Sequence, residues 1–364
     1  MKPTDSTADL VRATDKRIPS IDGVRAVSIA LVIVSHLALS GTFSPATYLW
    51  RFDIGNLGVR IFFVISGYLI TSILLKERAA SGAISLRDFY LRRIFRIAPA
   101  YYAFLAIMFV ASLVGLASIP ASDFLSAIFY YSNYDKPAFA IAHSWSLSVE
   151  EQFYLIWPVL LVAFGLRNGT HWAIAVLAIS PVLRVFAEVM PNWPVEPRYA
   201  FETVADALAT GCLLAILRDT LWQQWWYRAL IGMKYFAVIP VALILARGLQ
   251  PSALLWGAAG ITVCNICIAL CLDRYIRYPD SPVGRVLNNK AVAYVGTLSY
   301  SLYLWQQPFL HDIHPLPFPL NLACIFVAAA LSYHLIERPF LRLRKKLEAR
   351  RAKAAPHQVT LQAK

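Results

Sequence analysis

The sequence predicts an all-α fold: a polytopic membrane bundle of about ten transmembrane helices, with both termini in the cytoplasm. Three observations support this prediction. Hydrophobic residues make up 58% of the 364 residues and charged residues only 15%, whereas a soluble domain carries about 25% charged residues. Apolar runs close to the roughly 20 residues that cross a bilayer recur along the chain. Basic residues gather between alternate runs, a pattern that sets membrane orientation.

Ten apolar segments are expected to cross the membrane. As helices they are long enough, or nearly so, to span a hydrocarbon core about 30 Å thick. They follow one another along most of the chain, so no attached soluble domain is predicted; the longest outer loop, residues 119–146, is polar and aromatic. The predicted spans are residues 24–41, 55–76, 97–118, 147–166, 171–189, 201–217, 230–247, 252–272, 291–311 and 317–336.

Basic residues set the predicted orientation. Lysine and arginine precede the first span and follow spans two, six, eight and ten, whereas the intervening loops carry few of them. Because basic loops stay on the cytoplasmic side, both termini are expected there. These loops also account for the net charge of +13, so binding to nucleic acid is not predicted.

Three regions are predicted from composition. Residues 1–17 form a cytoplasmic N-terminal segment that lacks the basic-then-apolar order of a cleaved signal peptide. Residues 18–345 form the transmembrane domain. Residues 346–364 form a basic, disordered cytoplasmic tail that can contact anionic membrane lipid.

The first span holds two ionisable side chains in register. Arg25 and His36 are eleven residues apart, almost three helical turns, so they point the same way about 16 Å apart along the axis. Asp22 lies three residues before Arg25 and shares that face. A buried imidazole suits a general base near pH 7, and an arginine suits a phosphate. The structural alternative is that Arg25 snorkels to the interface and His36 ends the span.

The separation of Arg25 from His36 predicts a long, thin donor substrate. Acyl-coenzyme A has this shape, with a phosphorylated head, a pantetheine arm and a reactive thioester at the far end. Arg93 and Arg96, one helical turn apart on the predicted cytoplasmic side, are expected to clamp its phosphates. Ordinary basic flanking of a span is the alternative.

The second span contains small residues at Ser66 and Gly67, followed by Tyr68. Small residues permit close approach, either of a neighbouring helix or of a substrate. We therefore predict that these three residues contribute to the donor site, with helix packing as the alternative.

The fourth span opens with two adjacent carboxylates, Glu150 and Glu151. Because neighbouring residues on a helix point to different faces, at most one is expected to face a cavity. That glutamate is predicted to orient His36 or to hold a hydroxylated acceptor. Alternatively, Ser144 or Ser146 caps a helix whose first turns are acidic.

Several other polar residues receive less weight. Asp206 in span six and Glu337 at the end of span ten are weaker site candidates, and four histidines without a regular partner are expected to be structural: His143, His311, His314 and His334. No metal is predicted. Three cysteines share a helix face without an accompanying histidine or further cysteine pair, so packing is favoured over a metal site: Cys264, Cys267 and Cys271.

Six motifs occur in a fixed order along the chain. They are Arg-x10-His at Arg25 and His36, Gly-Val-x-x-Phe-Phe-Val-x-Ser-Gly-Tyr at Gly58 to Tyr68, Arg-x-x-Arg-Ile-x-Pro at Arg93 to Pro99, Ser-Trp-Ser-Leu-Ser-Val-Glu-Glu-Gln-Phe-Tyr at Ser144 to Tyr154, Ser-Tyr-Ser-Leu-Tyr-Leu-Trp-Gln at Ser299 to Gln306, and Glu-Arg-Pro at Glu337 to Pro339. Through them the sequence resembles the acyltransferase-3 family of membrane O-acyltransferases, which includes bacterial O-antigen acetylases. The resemblance covers roughly residues 17–345.

The resemblance implies acyl transfer, most often of acetyl, from cytoplasmic acyl-coenzyme A to a hydroxyl group. Acceptors in the family include surface polysaccharides, peptidoglycan, lipid-linked sugars and macrolides. It also implies an integral protein of the bacterial inner (plasma) membrane. Many members carry a fused extracytoplasmic hydrolase-like domain, which is not expected here.

The resulting hypothesis assigns His36 as general base, Arg25, Arg93 and Arg96 as donor-binding residues, and acetyl-coenzyme A as co-substrate rather than a permanent cofactor. Direct transfer and a two-step route through acyl-His36 both fit the sequence. A transporter or flippase for a sugar-lipid or anionic solute is the alternative, because it would use the same buried charges as a path. Such a transporter needs no acyl donor, so donor-dependent labelling of an acceptor separates the two.

Overall fold

The structure, a computed structural model, describes residues 19–41, 52–135, 137–190, 193, 196–236, 238–248, 252–310 and 316–354. Within these residues all regular secondary structure is helical, as the sequence predicts. The predicted N-terminal segment 1–17, His311 and His314 lie outside them. Six stretches are long and apolar enough to cross a membrane: Ser20–Leu39, Ile54–Ser81, Leu86–Leu113, Phe139–Val189, Trp256–Arg277 and Leu320–Arg350. The count of ten spans stays a prediction.

Fifteen helices are described, and two π-helical turns, Trp256–Gly260 and Tyr333–Glu337, lie directly before α11 and α15. In chain order the helices are α1 Pro19–Leu39, α2 Ile54–Ser81, α3 Leu86–Leu113, α4 Ala121–Ile128, α5 Phe139–Ala142, α6 Ser144–Val189, α7 Phe201–Gln223, α8 Trp225–Gly232, α9 Val238–Gly248, α10 Ala253–Leu255, α11 Ile261–Arg277, α12 Pro282–Leu287, α13 Lys290–Trp305, α14 Leu320–Ser332 and α15 Arg338–Ala354.

The long helix α6 contains two predicted spans, 147–166 and 171–189. Its backbone leaves the helical region at Gly165, where φ is 74° and ψ is 173°, a conformation that is essentially restricted to glycine. Gly169 then packs against the side chains of Leu161 and Trp157. In a straight helix Gly169 and Leu161 would be about 12 Å apart. The chain therefore folds back on itself at Gly165, as two antiparallel spans require.

The centre of the bundle depends on glycines where helices cross. α2 packs against α7, and α1 packs against both α2 and α13. A side chain at Gly67 in α2 would overlap the backbone of Leu208 in α7, and one at Gly211 in α7 would overlap the backbone of Val64. Gly67 therefore serves helix packing, which is the alternative that the sequence left open.

Replacing Gly67 with alanine is expected to destabilise the bundle by about 1–3 kcal/mol, because the added methyl group forces α2 and α7 apart. The matched control is Gly257→Ala, where an added Cβ meets only the Cβ of Arg184, at 3.8 Å. Thermal melting of the detergent-solubilised protein measures both variants. Equal melting temperatures for the two would contradict the packing role of Gly67.

Asp206 lies inside the bundle as the centre of a buried ion-pair cluster. Its carboxylate is 2.9 Å from the guanidinium of Arg184 in α6 and 3.6 Å from that of Arg60 in α2. Thr262 at the start of α11 donates a hydrogen bond to it at 2.8 Å. Four helices thus meet at one carboxylate, so Asp206 anchors the fold. It lies outside the lining of the main cavity, and its role as a site residue stays a prediction.

A second buried cluster joins α7, α8 and α11. Asp273 accepts hydrogen bonds from Arg218 (2.5 Å), Arg277 (2.8 Å) and the hydroxyl of Tyr227 (2.9 Å). Because each partner belongs to a described helix, the cluster fixes how these helices pack at their shared end.

The predicted outer loop 119–146 is mostly packed into the bundle. Its described part includes α4, a short 3-10 helix at Ser132–Tyr134 and α5. Tyr101 in α3 donates to the carbonyl of Ala127 at 2.9 Å, and buried Asp123 accepts from the backbone of Ala138 at 2.6 Å. This internal bonding carries the segment back toward the centre of the bundle, where α6 begins.

The C-terminal helix α15 differs from the predicted disordered tail. It runs to Ala354, so residues 346–354 are helical. Only residues 355–364 of that tail lie outside the described residues. Near its start, α15 contributes Leu341 and Arg344 to the main cavity.

Candidate active site

One cavity of about 670 Å³ enters the bundle among α1, α2, α3, α6, α13 and α15. We call it the arginine-lined cavity. Its volume lies within the range of small-molecule sites. Its charged lining consists of five arginines and four carboxylates: Arg25, Arg92, Arg93, Arg96, Arg344, Asp22, Glu150, Glu151 and Glu337. Arg25, Arg93 and Arg96, which the sequence proposed as donor-binding residues, therefore meet at one cavity.

Arg25 has an unused hydrogen-bond donor. Its Nε atom is buried and has no hydrogen-bond partner among the described residues. A buried donor without a partner is costly, so this atom fits a ligand that accepts a hydrogen bond. Arg93 is held differently: its guanidinium lies over the rings of Tyr154 (5.2 Å) and Phe89 (5.8 Å). This stacking fixes its plane beside the cavity.

Both adjacent glutamates line the cavity, which corrects the expectation that at most one would. The cavity covers a wide part of the α6 surface, so neighbouring residues about 100° apart both reach it. Glu150 accepts hydrogen bonds from Ser66 (2.6 Å) and from Tyr154 (3.2 Å). The hydroxyl of Tyr154 also lies 3.1 Å from that of Ser66. Glu150 is therefore bonded to α2, not to His36.

The remaining donor-site predictions divide between two faces of α2. Ser66 lines the cavity, whereas Gly67 and Tyr68 do not. Gly67 faces the backbone of α7, and the side chain of Tyr68 is buried. Gly67 has no side chain to present to the cavity, and Tyr68, two residues beyond Ser66, points about 200° away from it. Glu337 does line the cavity and accepts a hydrogen bond from Ser301.

His36 lies beyond the lining of the arginine-lined cavity. Its Nδ1 atom is 2.7 Å from Oε1 of Gln306, and its Nε2 atom is 3.5 Å from Nε2 of Gln307. Phe139 in α5 packs edge-on against the ring at 6.0 Å. The expected carboxylate partner of His36 is therefore corrected: two amides take that place.

His143, which the sequence assigned to structure alone, belongs to the same network. Its backbone N–H (2.8 Å) and its Nδ1 atom (2.7 Å) both lie against Oε1 of Gln307. Its position directly before the Ser-Trp-Ser motif was the available signal. His334, by contrast, is bonded to Tyr294 at 3.0 Å.

A chain of hydrogen bonds, which we call the hydrogen-bonded wall, connects the lining of the arginine-lined cavity to His36. Ser146 and Tyr303 line the cavity and are joined by a 2.5 Å hydrogen bond between their hydroxyls. Both hydroxyls also contact the carbonyl of His143, at 3.2 and 3.3 Å. Gln307 is hydrogen-bonded to His143 and in turn contacts Nε2 of His36. Ser146 and Tyr303 thus stand at the cavity end of this chain and His36 at its other end.

Metal ligation finds no geometric support in the described part of the chain. There, no group of three His, Cys, Asp or Glu side chains is arranged to hold an ion. Cys264, Cys267 and Cys271 are free thiols on α11. The candidate site consists of the side chains that line the arginine-lined cavity and those around His36.

Comparison with known sequences places the chain in a family. A family profile described as an acyltransferase domain matches residues 18–335. The chain belongs to this acyltransferase-3 family. With its six apolar helical stretches, this member of the family is an integral membrane protein.

Named relatives of this family member share more than a quarter of its residues. The peptidoglycan O-acetyltransferase OatA of Listeria monocytogenes is 29% identical over an alignment that covers 90% of this chain and 56% of the length of OatA. The "Putative peptidoglycan O-acetyltransferase YrhL" of Bacillus subtilis is 28% identical over 88% of this chain and 54% of its own. The chain thus spans about half the length of these relatives. No solved structure matches it.

Proposed function

We propose that this acyltransferase moves an acyl group, most simply acetyl, from acyl-coenzyme A to a hydroxyl of a carbohydrate-containing acceptor. The observation that carries the proposal is the unpaired, buried Nε of Arg25 in a cavity lined by further arginines. Guanidinium groups bind phosphates through paired, charge-assisted hydrogen bonds. Arg25, Arg93 and Arg96 would hold the phosphorylated head of the donor, and its pantetheine arm would point toward Ser146 and Tyr303.

The reaction requires His36 to act as general base. Its imidazole would take the proton of the acceptor hydroxyl while the hydroxyl oxygen attacks the thioester carbonyl. The carbon–sulfur bond then breaks, and the departing thiolate receives that proton from the imidazolium. The products are an ester of the acceptor and free coenzyme A. The wall at Ser146 and Tyr303 must open for the thioester to meet His36.

The acceptor and the membrane orientation belong to the same proposal. The name of the Listeria relative supports a cell-wall glycan as acceptor; a lipid-linked sugar or a macrolide would present the same hydroxyl chemistry. The arginines that line the cavity and the basic residues between alternate spans support a cytoplasmic position for the arginine-lined side of the cavity and for both termini, in a bacterial inner membrane crossed about ten times. Donor would then enter from the cytoplasm.

Membranes containing the protein are expected to transfer label from [14C]acetyl-coenzyme A to soluble peptidoglycan fragments or to membrane glycolipids. Replacing Arg25 with glutamine is expected to raise the KM for acetyl-coenzyme A about 10- to 100-fold, because a charged hydrogen bond is worth about 1.5–3 kcal/mol. The same variant should leave the KM for acetyl-pantetheine, which lacks the nucleotide phosphates, unchanged.

Arg198→Gln is the matched control, because that arginine is 70% exposed and, within the described residues, its ion pair is with nearby Glu196 at 3.8 Å. An equal rise in KM for both donors in Arg25→Gln would contradict phosphate binding by Arg25. No acetyl transfer by the unaltered protein to any of these acceptors would overturn the enzyme proposal and favour the transporter.

A further inference from the structure

One fixed donor determines the orientation of the amides around His36. The backbone N–H of His143 can only donate, and it lies 2.8 Å from a terminal atom of Gln307, which must therefore be the oxygen. The Nδ1 atom of His143 lies 2.7 Å from the same oxygen. The other terminal atom of Gln307 is then the NH2 group, and it faces Nε2 of His36 at 3.5 Å. Because an amide NH2 only donates, Nε2 of His36 presents its lone pair.

The second amide completes the assignment. A neutral imidazole carries one proton, so with Nε2 unprotonated the proton lies on Nδ1. Oε1 of Gln306 is 2.7 Å from Nδ1 and accepts that proton's hydrogen bond. We propose that Gln306 and Gln307 are positioning residues that hold His36 as the neutral Nδ1–H tautomer, with Nε2 as its basic atom. The inference rests on the proposed function, in which His36 takes the acceptor proton.

The burial of Gln306 and Gln307 allows them to fix the tautomer of His36. The side chains of Gln306 and Gln307 are 0% and 4% exposed, so bulk water does not replace either amide. A carboxylate in place of Gln306 would also accept the Nδ1–H, but it would stabilise the charged imidazolium through its negative charge. An amide orients the ring without that charge. His36 therefore stays unprotonated, and able to act as a base, at lower pH than it would beside a carboxylate.

Two substitutions at Gln306 separate orientation from charge. Gln306→Leu removes the acceptor, and kcat is expected to fall about 10- to 100-fold at every pH, as is typical for loss of an orienting partner. Gln306→Glu keeps the acceptor, so kcat at alkaline pH should stay near that of the unaltered protein. The fall of kcat at low pH, the acid limb of its pH profile, should move to higher pH by about one unit or more, because the imidazolium is now stabilised. The assay is coenzyme A release from acetyl-coenzyme A with soluble peptidoglycan fragments, in detergent.

Three controls make the outcome decisive. Gln223→Glu adds the same charge at an exposed glutamine of α7 and should leave the pH profile unchanged. His143 is the titratable group behind Gln307, and His143→Asn keeps both a side-chain N–H and the backbone donor. The acid limb should persist in that variant. Melting temperatures report whether each variant is folded.

Several results would overturn the inference while leaving acyl transfer itself intact. They are full kcat in Gln306→Leu, an unmoved acid limb in active Gln306→Glu, and loss of the acid limb in His143→Asn. Absence of donor-dependent activity in the unaltered protein would instead count against the proposed function. The two failures are therefore distinguishable.

Discussion

Replacing His36 with glutamine is expected to lower acetyl transfer about 100- to 10,000-fold, which is the usual effect of removing a general base. The glutamine amide can still occupy the space between Gln306 and Gln307, but it has no basic nitrogen for the acceptor proton. Because His36 lies outside the arginine-lined cavity, the dissociation constant of coenzyme A should change little. The effect should therefore appear in kcat and not in donor binding.

Label transfer from acetyl-coenzyme A measures kcat, and isothermal titration with coenzyme A measures donor binding. His334→Gln is the matched control, because His334 is bonded to Tyr294 away from the cavity. If His36→Gln retained full activity at normal expression, His36 would not be the base. If coenzyme A no longer bound to a folded variant, the separation between donor cavity and base would be wrong.

Replacing Asp206 with asparagine is expected to destabilise the protein by about 3–5 kcal/mol, because it leaves the buried charges of Arg60 and Arg184 without a carboxylate. Removing Arg60 should be milder. In Arg60→Leu the closer pair, Arg184 with Asp206 at 2.9 Å, remains and is electrically balanced. The predicted order of stability is unaltered protein, then Arg60→Leu, then Asp206→Asn.

Folded yield and melting temperature in detergent give this order. Asp219→Asn is the control, because Asp219 lies at an exposed position closer to the C-terminal end of α7. It should change stability by less than about 0.5 kcal/mol. A melting temperature for Asp206→Asn equal to that of the control would show that the cluster does not anchor the fold. Loss of catalysis in a fully stable Asp206→Asn would return Asp206 to the list of site residues.

The sequence could predict those features that depend on neighbouring residues. Hydropathy and helical spacing are local, so the long helices, and the placement of Arg25 toward the arginine-lined cavity, follow from counting residues along α1. The prediction that Arg93 and Arg96 act as a pair also came from helical spacing, because they are one turn apart. The sequence thus predicted one donor site for the three arginines, whereas it predicted that a glutamate would orient His36 or hold the acceptor, and not that Glu150 would share their cavity.

Contacts between distant segments escaped prediction. Gln306 and His36 are 270 residues apart in the chain, and no periodicity links them. The residues 119–146 are polar and aromatic, which is typical of an exposed loop, yet many of them are buried, and Asp123 accepts a hydrogen bond from the backbone of Ala138. Asp206 looked functional because a lone carboxylate in a span is costly. Its partners, Arg60 and Arg184, come from helices whose meeting the sequence does not encode locally.

The hydrogen-bonded wall at Ser146 and Tyr303 also bears on hydrolysis of the donor without acyl transfer. If the donor binds among the arginines as proposed, its thioester has no contact with the imidazole while the wall is closed, and water in the cavity would gain no help in attacking it. Cleavage is then tied to whatever event separates the two hydroxyls. An acceptor that opens the wall on binding would thereby suppress futile hydrolysis, and the cell's acyl-coenzyme A would be consumed only when a hydroxyl is present to receive the acyl group.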